Sequence, residues 1–136
     1  MQTLEFKILF VGNTQIGKTT FIRKLINENN TNIDNIPTTI GVDVKPIDIY
    51  RNRRKIRLNI WDCSGNPNFK GLGSLYYMNA NGVVLFKDDT DYHENVLEEL
   101  ESICPNVPIL HMNYNKEEDN FELYKNALKD FAFQNL

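Results

Sequence analysis

Phe6-Lys7-Ile8-Leu9-Phe10-Val11-Gly12-Asn13-Thr14-Gln15-Ile16-Gly17-Lys18-Thr19-Thr20 is the stretch on which the rest of the chain is organised. An apolar run leads into a loop bounded by Gly12 and Gly17 and closed by Lys18, Thr19 and Thr20. Gly12 and Gly17-Lys18-Thr19 fit the spacing G-x-x-x-x-G-K-[ST] of a phosphate-binding loop. Gly12 permits a turn closed to residues with a Cβ. The backbone N–H groups of the loop (Asn13, Thr14, Gln15, Ile16 and Gly17) then point inward at an anion, aided by the N-terminus of the next helix. Lys18 reaches the outer phosphates, and the Thr19 hydroxyl ligates Mg²⁺. The fixed positions match by chance in roughly one chain of this length in a few hundred. The context narrows it further, because a strand-like run precedes the loop and Phe21-Ile22-Arg23-Lys24-Leu25-Ile26 follows as a helix.

The remaining composition sets bounds. At 136 residues the chain reads as a single domain over 1–136, with enough length for a real core. It has 41% hydrophobic and 24% charged residues, an ordinary globular balance. A net charge of −3 gives no general reason to expect nucleic acid or an anionic membrane as partner. Cys63 and Cys104 are too few for a disulfide framework, so the expectation is a reducing compartment, cytoplasmic and/or nuclear. No apolar run approaches transmembrane length. The last residues, Phe133-Gln134-Asn135-Leu136, carry no prenylation cysteine, so no lipid anchor is expected there.

Residues 6–11 read as a buried strand and 18–27 as a helix with Phe21, Ile22, Leu25 and Ile26 on one face. Residues 28–37 are polar and asparagine-rich, a loop long enough to be functional. Residues 42–50 and 55–61 alternate on either side of the turn-like Arg51-Asn52-Arg53-Arg54, a β-hairpin. Pro46 pushes its first strand towards a sheet edge. The basic turn reads as a solvated tip rather than a binding patch. A helix is expected over 72–79, a buried strand over 82–86, a helix over 94–103, a strand over 107–112 and an amphipathic helix over 118–133. The order β-α-β-β-α-β-α-β-α calls for an α/β fold, a mostly parallel sheet with helices on both faces.

A magnesium nucleotide needs more than Thr19. Asp62 closes a strand, where a carboxylate reaches the metal, usually through water. Gly65 lets a backbone N–H approach a γ-phosphate. Thr39, in the long loop, supplies a second hydroxyl for the metal. Loops ordered by one γ-phosphate and its Mg²⁺ make a switch. His93 and His111 are not at metal-ligand spacing. Trp61, Tyr76 and Tyr77 read as core rather than ligand-stacking residues.

These residues carry a resemblance to small GTPases of the Ras superfamily, and most to the Ran branch. Besides the phosphate loop, Thr39-Ile40-Gly41-Val42-Asp43-Val44 resembles switch I and the strand after it. Trp61-Asp62-Cys63-Ser64-Gly65 resembles the W-D-T-A-G of switch II, continued by Phe69-Lys70-Gly71-Leu72 and Leu75-Tyr76-Tyr77. Phe86-Lys87-Asp88-Asp89-Thr90 and Cys104-Pro105-Asn106-Val107-Pro108-Ile109 resemble later family segments. The resemblance implies the P-loop small-GTPase fold: a mostly parallel five-stranded sheet with one antiparallel edge hairpin, lacking the family's last strand and helix. It implies GTP or GDP with Mg²⁺ as cofactors, and Lys18, Thr19, Thr39, Asp62 and Gly65 in the roles above. It implies protein effectors or regulators at both switch loops, among them nuclear-transport or membrane-traffic factors.

The departures matter as much. The family's water-orienting glutamine is replaced by Asn66, one methylene shorter, followed by Pro67 with its fixed φ. Positioning supplies most of the rate in phosphoryl transfer, so hydrolysis is expected to be slow. The base-reading N-K-x-D becomes Asn115-Lys116-Glu117-Glu118, and an ungapped alignment puts Tyr114 and Asn115 on it instead. The carboxylate meeting guanine is then Glu117, Glu118 or neither. The chain stops about where the family's sixth strand would start, which leaves the 107–112 strand at an exposed edge. A partner or second copy covering that edge, a re-sited last helix, or marginal stability would each account for this. The leading reading is a guanine-nucleotide switch with slow hydrolysis. The alternative is a degenerate GTPase relative that acts as an interaction module and competes with a cellular Ran- or Rab-like protein.

Overall fold

The central strand β1, Leu4–Val11, is the apolar run before the loop, and its last residues Ile8, Leu9, Phe10 and Val11 are fully buried. A strand covered on both faces has no polar side to show, which is why this segment reads as a continuous apolar run. The computed structural model describes residues 3–12, 18–29, 36–37, 43–63, 77–86, 92–113 and 120–136. After β1 come α1 (Lys18–Asn29), β2 (Ile36–Pro37), β3 (Asp43–Arg51), β4 (Arg54–Cys63), β5 (Gly82–Phe86), α2 (Tyr92–Ile103), β6 (Ile109–Met112) and α3 (Phe121–Asn135).

The strands form one sheet in the order β2-β3-β4-β1-β5-β6. The β1–β4, β1–β5 and β5–β6 pairs are parallel, whereas β3–β4 and β2–β3 are antiparallel. The long strands and the antiparallel hairpin agree with the expected P-loop small-GTPase fold. The loop assigned to 28–37 is corrected at both ends: α1 runs on through Asn29, and Ile36–Pro37 pair with Val44 and Asp43 as β2. That pairing makes the sheet six-stranded. A strand this short has no periodicity to read. Of the helix expected over 72–79, only its end is described: Tyr77 is helical and Asn79 takes φ 60°, a left-handed stop suited to asparagine.

The hairpin turn is tight. Asn52 and Arg53 both have positive φ, 51° and 67°, and Arg51 pairs with Arg54. This is the two-residue primed turn whose twist matches that of the flanking strands. Pro46 lies within β3, and beyond Val44 no strand among the described residues lies outside β3. A residue without an N–H is tolerated at such an edge.

Each sheet face carries its own core. On one face Ile8, Phe10, Ile47, Ile56, Leu58, Ile60, Val84, Phe86 and Met112 pack under α1 and α3. Phe21 of α1 links the helices and the sheet, its ring centroid 5.4 Å from Phe121, 5.8 Å from Phe86 and 6.2 Å from Phe10. On the other face Leu9, Val11, Val83 and Leu85 pack with Leu100 of α2 and with Tyr77. Fully burying one such side chain is worth about 1.5–3 kcal/mol. The last helix, α3, lies on the α1 face, so that face has two covering helices. Cys104-Pro105-Asn106-Val107 returns the chain to β6, with Asn106 at φ 67° and Val107 N–H donating to the Cys104 carbonyl. Proline followed by a positive-φ residue is the pattern of a type II turn.

Candidate functional site

Because β1, β4, β5 and β6 are parallel, their carboxyl ends share one edge of the sheet. The chain leaves β1 for α1 on one face, whereas α2, which follows β5, covers the other. β1 lies between β4 and β5, so the topology switches sides at its carboxyl end, where open α/β sheets bind ligands. Gly12 sits there. It is buried and takes φ 157°, a backbone setting that residues with a Cβ rarely adopt.

Lys18, Thr19 and Thr20 form the first turn of α1, so the phosphate-loop motif ends at a helix N-terminus as its chemistry requires. Asp62 comes from the neighbouring strand. In the parallel β1–β4 register it is the partner of Phe10, two residues before Gly12, and its Oδ1 is buried. Two elements distant in sequence are therefore brought to one point, the loop start on β1 and the strand-end carboxylate on β4. Asn13, Thr14, Gln15, Ile16, Gly17, Thr39, Gly65, Asn66, Asn115, Lys116 and Glu118 lie outside the described residues.

Among the described residues no group of at least three His, Cys, Asp or Glu side chains is placed to hold a metal. A magnesium ion carried by phosphates needs no such cage: one or two carboxylates, hydroxyls and water suffice. A single aspartate at the carboxyl edge, beside a phosphate-loop helix, fits that donor set.

Several features away from this edge, towards the amino ends of the parallel strands, were not singled out from the sequence. Lys7 on β1 lies with its Nζ 3.8 Å from the Trp61 ring centroid and donates to the Met78 carbonyl at 2.8 Å. The Lys7 N–H donates to Asn81 Oδ1 at 2.7 Å, and the Asn81 N–H donates to the Lys7 carbonyl at 2.8 Å. These bonds fix where the chain re-enters the sheet at β5. Trp61 and Tyr77 are packing residues of the second core, as expected. Asp48 and Arg57, cross-strand partners in the hairpin, form a fork with Nε–Oδ1 at 2.8 Å and Nη2–Oδ2 at 3.2 Å. The Arg57 hydrogen bond holds the Asp48 carboxyl below its usual range against the opposing effect of burial. Its signal was in the sequence: positions 48 and 57 are equidistant from the turn at 52–53. Burial pushes the Cys104 thiol up.

The fold and the phosphate-loop motif define the class: an α/β domain of the P-loop kind. A family model described as Roc, the Ras-of-complex domain of DAPkinase, matches residues 7–118, and the chain belongs to this family of Ras-superfamily small GTPase domains. Its relatives include Ras-related protein Rab-3A of Homo sapiens, 37% identical over 86 residues, which is 63% of this chain and 38% of that protein. Ras-related protein Rab-3C of Bos taurus is 33% identical over 86 residues, 63% of this chain and 37% of that protein. The chain thus spans under two fifths of the length of these relatives. No helix among the described residues is long and apolar enough to cross a membrane.

Proposed function

We propose that the chain is a guanine-nucleotide-binding switch whose hydrolysis is slow. The observation that carries this reading is the meeting of Gly12 and Asp62 at the carboxyl edge of β1 and β4, with α1 starting at Lys18 where the phosphate-loop motif ends. The amides of residues 13–17 and Lys18 hold the phosphates. Thr19, Thr39 and Asp62 are the residues that would hold Mg²⁺, which supplies charge neutralisation at the phosphates when bound. Gly65 offers its N–H to the γ-phosphate. Asn66 stands in the water-orienting position and is too short, with Pro67 restricting the backbone beside it. Asn115, Lys116 and Glu118 form the base end. Effectors and regulators engage the loops that contain Thr39 and Gly65. The motif resemblance at Thr39–Val44 and Phe69–Leu72 supports a Ran-like character; the matches to Rab-3 proteins support a Rab-like one. An intracellular, transport-related setting rests on those resemblances.

The altered base and water positions favour a second reading, a nucleotide-poor interaction module that keeps the switch surface. One experiment separates the two. Nucleotide released from freshly purified protein is identified by HPLC and mass spectrometry, and Mg-GTP and Mg-GDP are titrated into the stripped protein. GTP or GDP in the extract, with binding lost in Lys18→Ala, is the expected result. No binding of either nucleotide at micromolar protein defeats the switch and leaves the module.

A further inference from the structure

We infer that Phe121, the first residue of α3, is a positioning residue for the phosphate end of the nucleotide site: it clamps Phe21 and so fixes the first turn of α1, which carries Lys18 and Thr19. This role rests on the phosphate half of the proposed function and not on which base is bound. Phe21 lies three residues after Lys18, close to one helical turn. Its side chain is fully buried and is met from three elements, with ring centroids 6.2 Å away for Phe10 of β1, 5.8 Å for Phe86 of β5 and 5.4 Å for Phe121. These separations suit tilted and edge-to-face aromatic pairs, whose attraction adds to the area they bury. Phe10 and Phe86 belong to the sheet, whereas Phe121 is the ring supplied by the other helix on that face. Lys24, further along α1, sets its ammonium 5.7 Å from the Phe121 ring centroid, a second tie between the two helices.

The start of α3 depends on this packing. Asn120, in the capping position, makes no side-chain bond to the helix, and its buried Oδ1 finds no hydrogen-bond partner among the described residues. A capping asparagine normally accepts from an amide of the first turn, so this helix start lacks that anchor. Phe121, only 9% exposed, anchors it through the aromatic cluster instead. Removing its ring leaves a void beside Phe21 and gives the first turn of α1 room to shift. A phosphate loop works by holding amides, an ammonium and a hydroxyl at fixed points, and small displacements of such groups weaken their action steeply. Leu128 provides the contrast. It is buried on the same helix, about two turns further on. There it lines a cavity of about 130 Å³ with Leu25 and Ile49, beside the second half of α1 rather than its first turn.

The test titrates a fluorescent GDP analogue with Mg²⁺ into the full chain, at a low temperature where circular dichroism shows each variant folded. Phe121→Ala is expected to bind roughly tenfold more weakly than wild type, and Phe121→Leu, which keeps more of the side-chain volume, to lose less. Leu128→Ala, a cavity elsewhere in the same helix, is expected to stay within about twofold of wild type. In a Thr19→Ala background, Phe121→Ala is expected to cost less than it does alone, because both changes act on one turn. Should Phe121→Ala fail to fold, Phe121→Leu carries the same cycle. Equal weakening by Phe121→Ala and Leu128→Ala would reduce Phe121 to a core residue and overturn the role. Strictly additive effects of the Phe121 and Thr19 changes would do the same. Wild-type protein that binds no Mg-GDP defeats the phosphate-loop reading and this role together. Wild-type binding with unchanged affinity in both Phe121 variants defeats this role alone.

Discussion

Phe10 and Asp62 are register partners across the parallel β1–β4 pair. One is a wholly buried core residue and the other carries a carboxylate. The pairing sets the carboxylate proposed for the metal beside the wholly buried end of the central strand. Phe10 packs against Phe21 and Phe86, with ring centroids 6.2 and 5.6 Å away, so the strand beside Asp62 is anchored in the aromatic core. Preorganisation of this kind matters where positioning and charge stabilisation do the chemistry.

Asp62→Asn should separate metal binding from folding. The amide keeps the size and loses the charge. A carboxylate that reaches a metal through water typically contributes on the order of 10–100-fold in metal affinity. The expected outcome is a loss of that size in Mg²⁺-dependent GDP affinity, measured with a fluorescent GDP analogue across a magnesium titration. Affinity measured in EDTA should be unchanged. Equal losses with and without Mg²⁺ would place Asp62 outside the metal's reach.

Gly82 and Phe131 give a test of the α3 position. A Cβ at Gly82 would lie 3.1 Å from Phe131 Cε1 and 3.2 Å from Ile8 Cδ1. Overpacking of this sort costs about 1–3 kcal/mol, and a branched side chain leaves the ring less room to yield. Gly82→Val should therefore lower the urea midpoint. Adding Phe131→Leu, which shortens the opposing side chain, should recover part of the loss. A double-mutant cycle with no coupling between the two would remove α3 from this face.

How much of this was legible from the sequence depends on the kind of signal. β1 and β5 are short apolar runs, and the hairpin alternates cleanly, so the sequence alone sets Ile56, Leu58 and Ile60 on one face, the face on which they pack. The phosphate loop was legible because its spacing is its mechanism. The side on which α3 packs was not legible. The pattern of Phe121, Leu128, Phe131 and Ala132 fixes a buried stripe on the helix but not which sheet face receives it. β2 escaped because a strand of this length has no alternation. Lys7 escaped because a lysine inside a strand reads as surface, whereas here its ammonium sits against Trp61 and donates to the Met78 carbonyl.

The hairpin turn invites a stabilising change. Asn52 tolerates positive φ, but Arg53 at φ 67° holds a Cβ in the left-handed region, which costs roughly 1–2 kcal/mol for most residues. Asparagine followed by glycine is the preferred pair for this turn. Arg53→Gly should raise the thermal midpoint, with a net gain of about 0.5–1 kcal/mol after the greater freedom of the unfolded glycine is counted. Arg53→Val should do the reverse, because a β-branched residue at positive φ is a genuine outlier. A midpoint lowered by the glycine would mean that the Arg53 side chain makes a contact worth more than the strain.

The Asp48–Arg57 fork gives the chain a defined acid limb. Hydrogen bonding from Arg57, then the charges of Arg57 and Lys55, hold the Asp48 carboxyl below its ordinary value, with burial opposing. Its native pKa is therefore below the unfolded value of about 3.9. The stability this contributes is fully present above about pH 4 and is lost as pH falls through the native value. Asp48→Asn keeps the shape and one acceptor but removes the charge, so at neutral pH it should cost about 1–3 kcal/mol. Urea midpoints measured from pH 7 down to about pH 2.5 should show the wild-type and variant curves converging only below about pH 4. Arg57→Gln should lose stability over the same window, because Asp48, with a side chain only 8% exposed, then keeps Lys55 alone as a cationic partner among the described residues. Curves that stay parallel to the lowest pH would assign the loss to packing rather than to the charge.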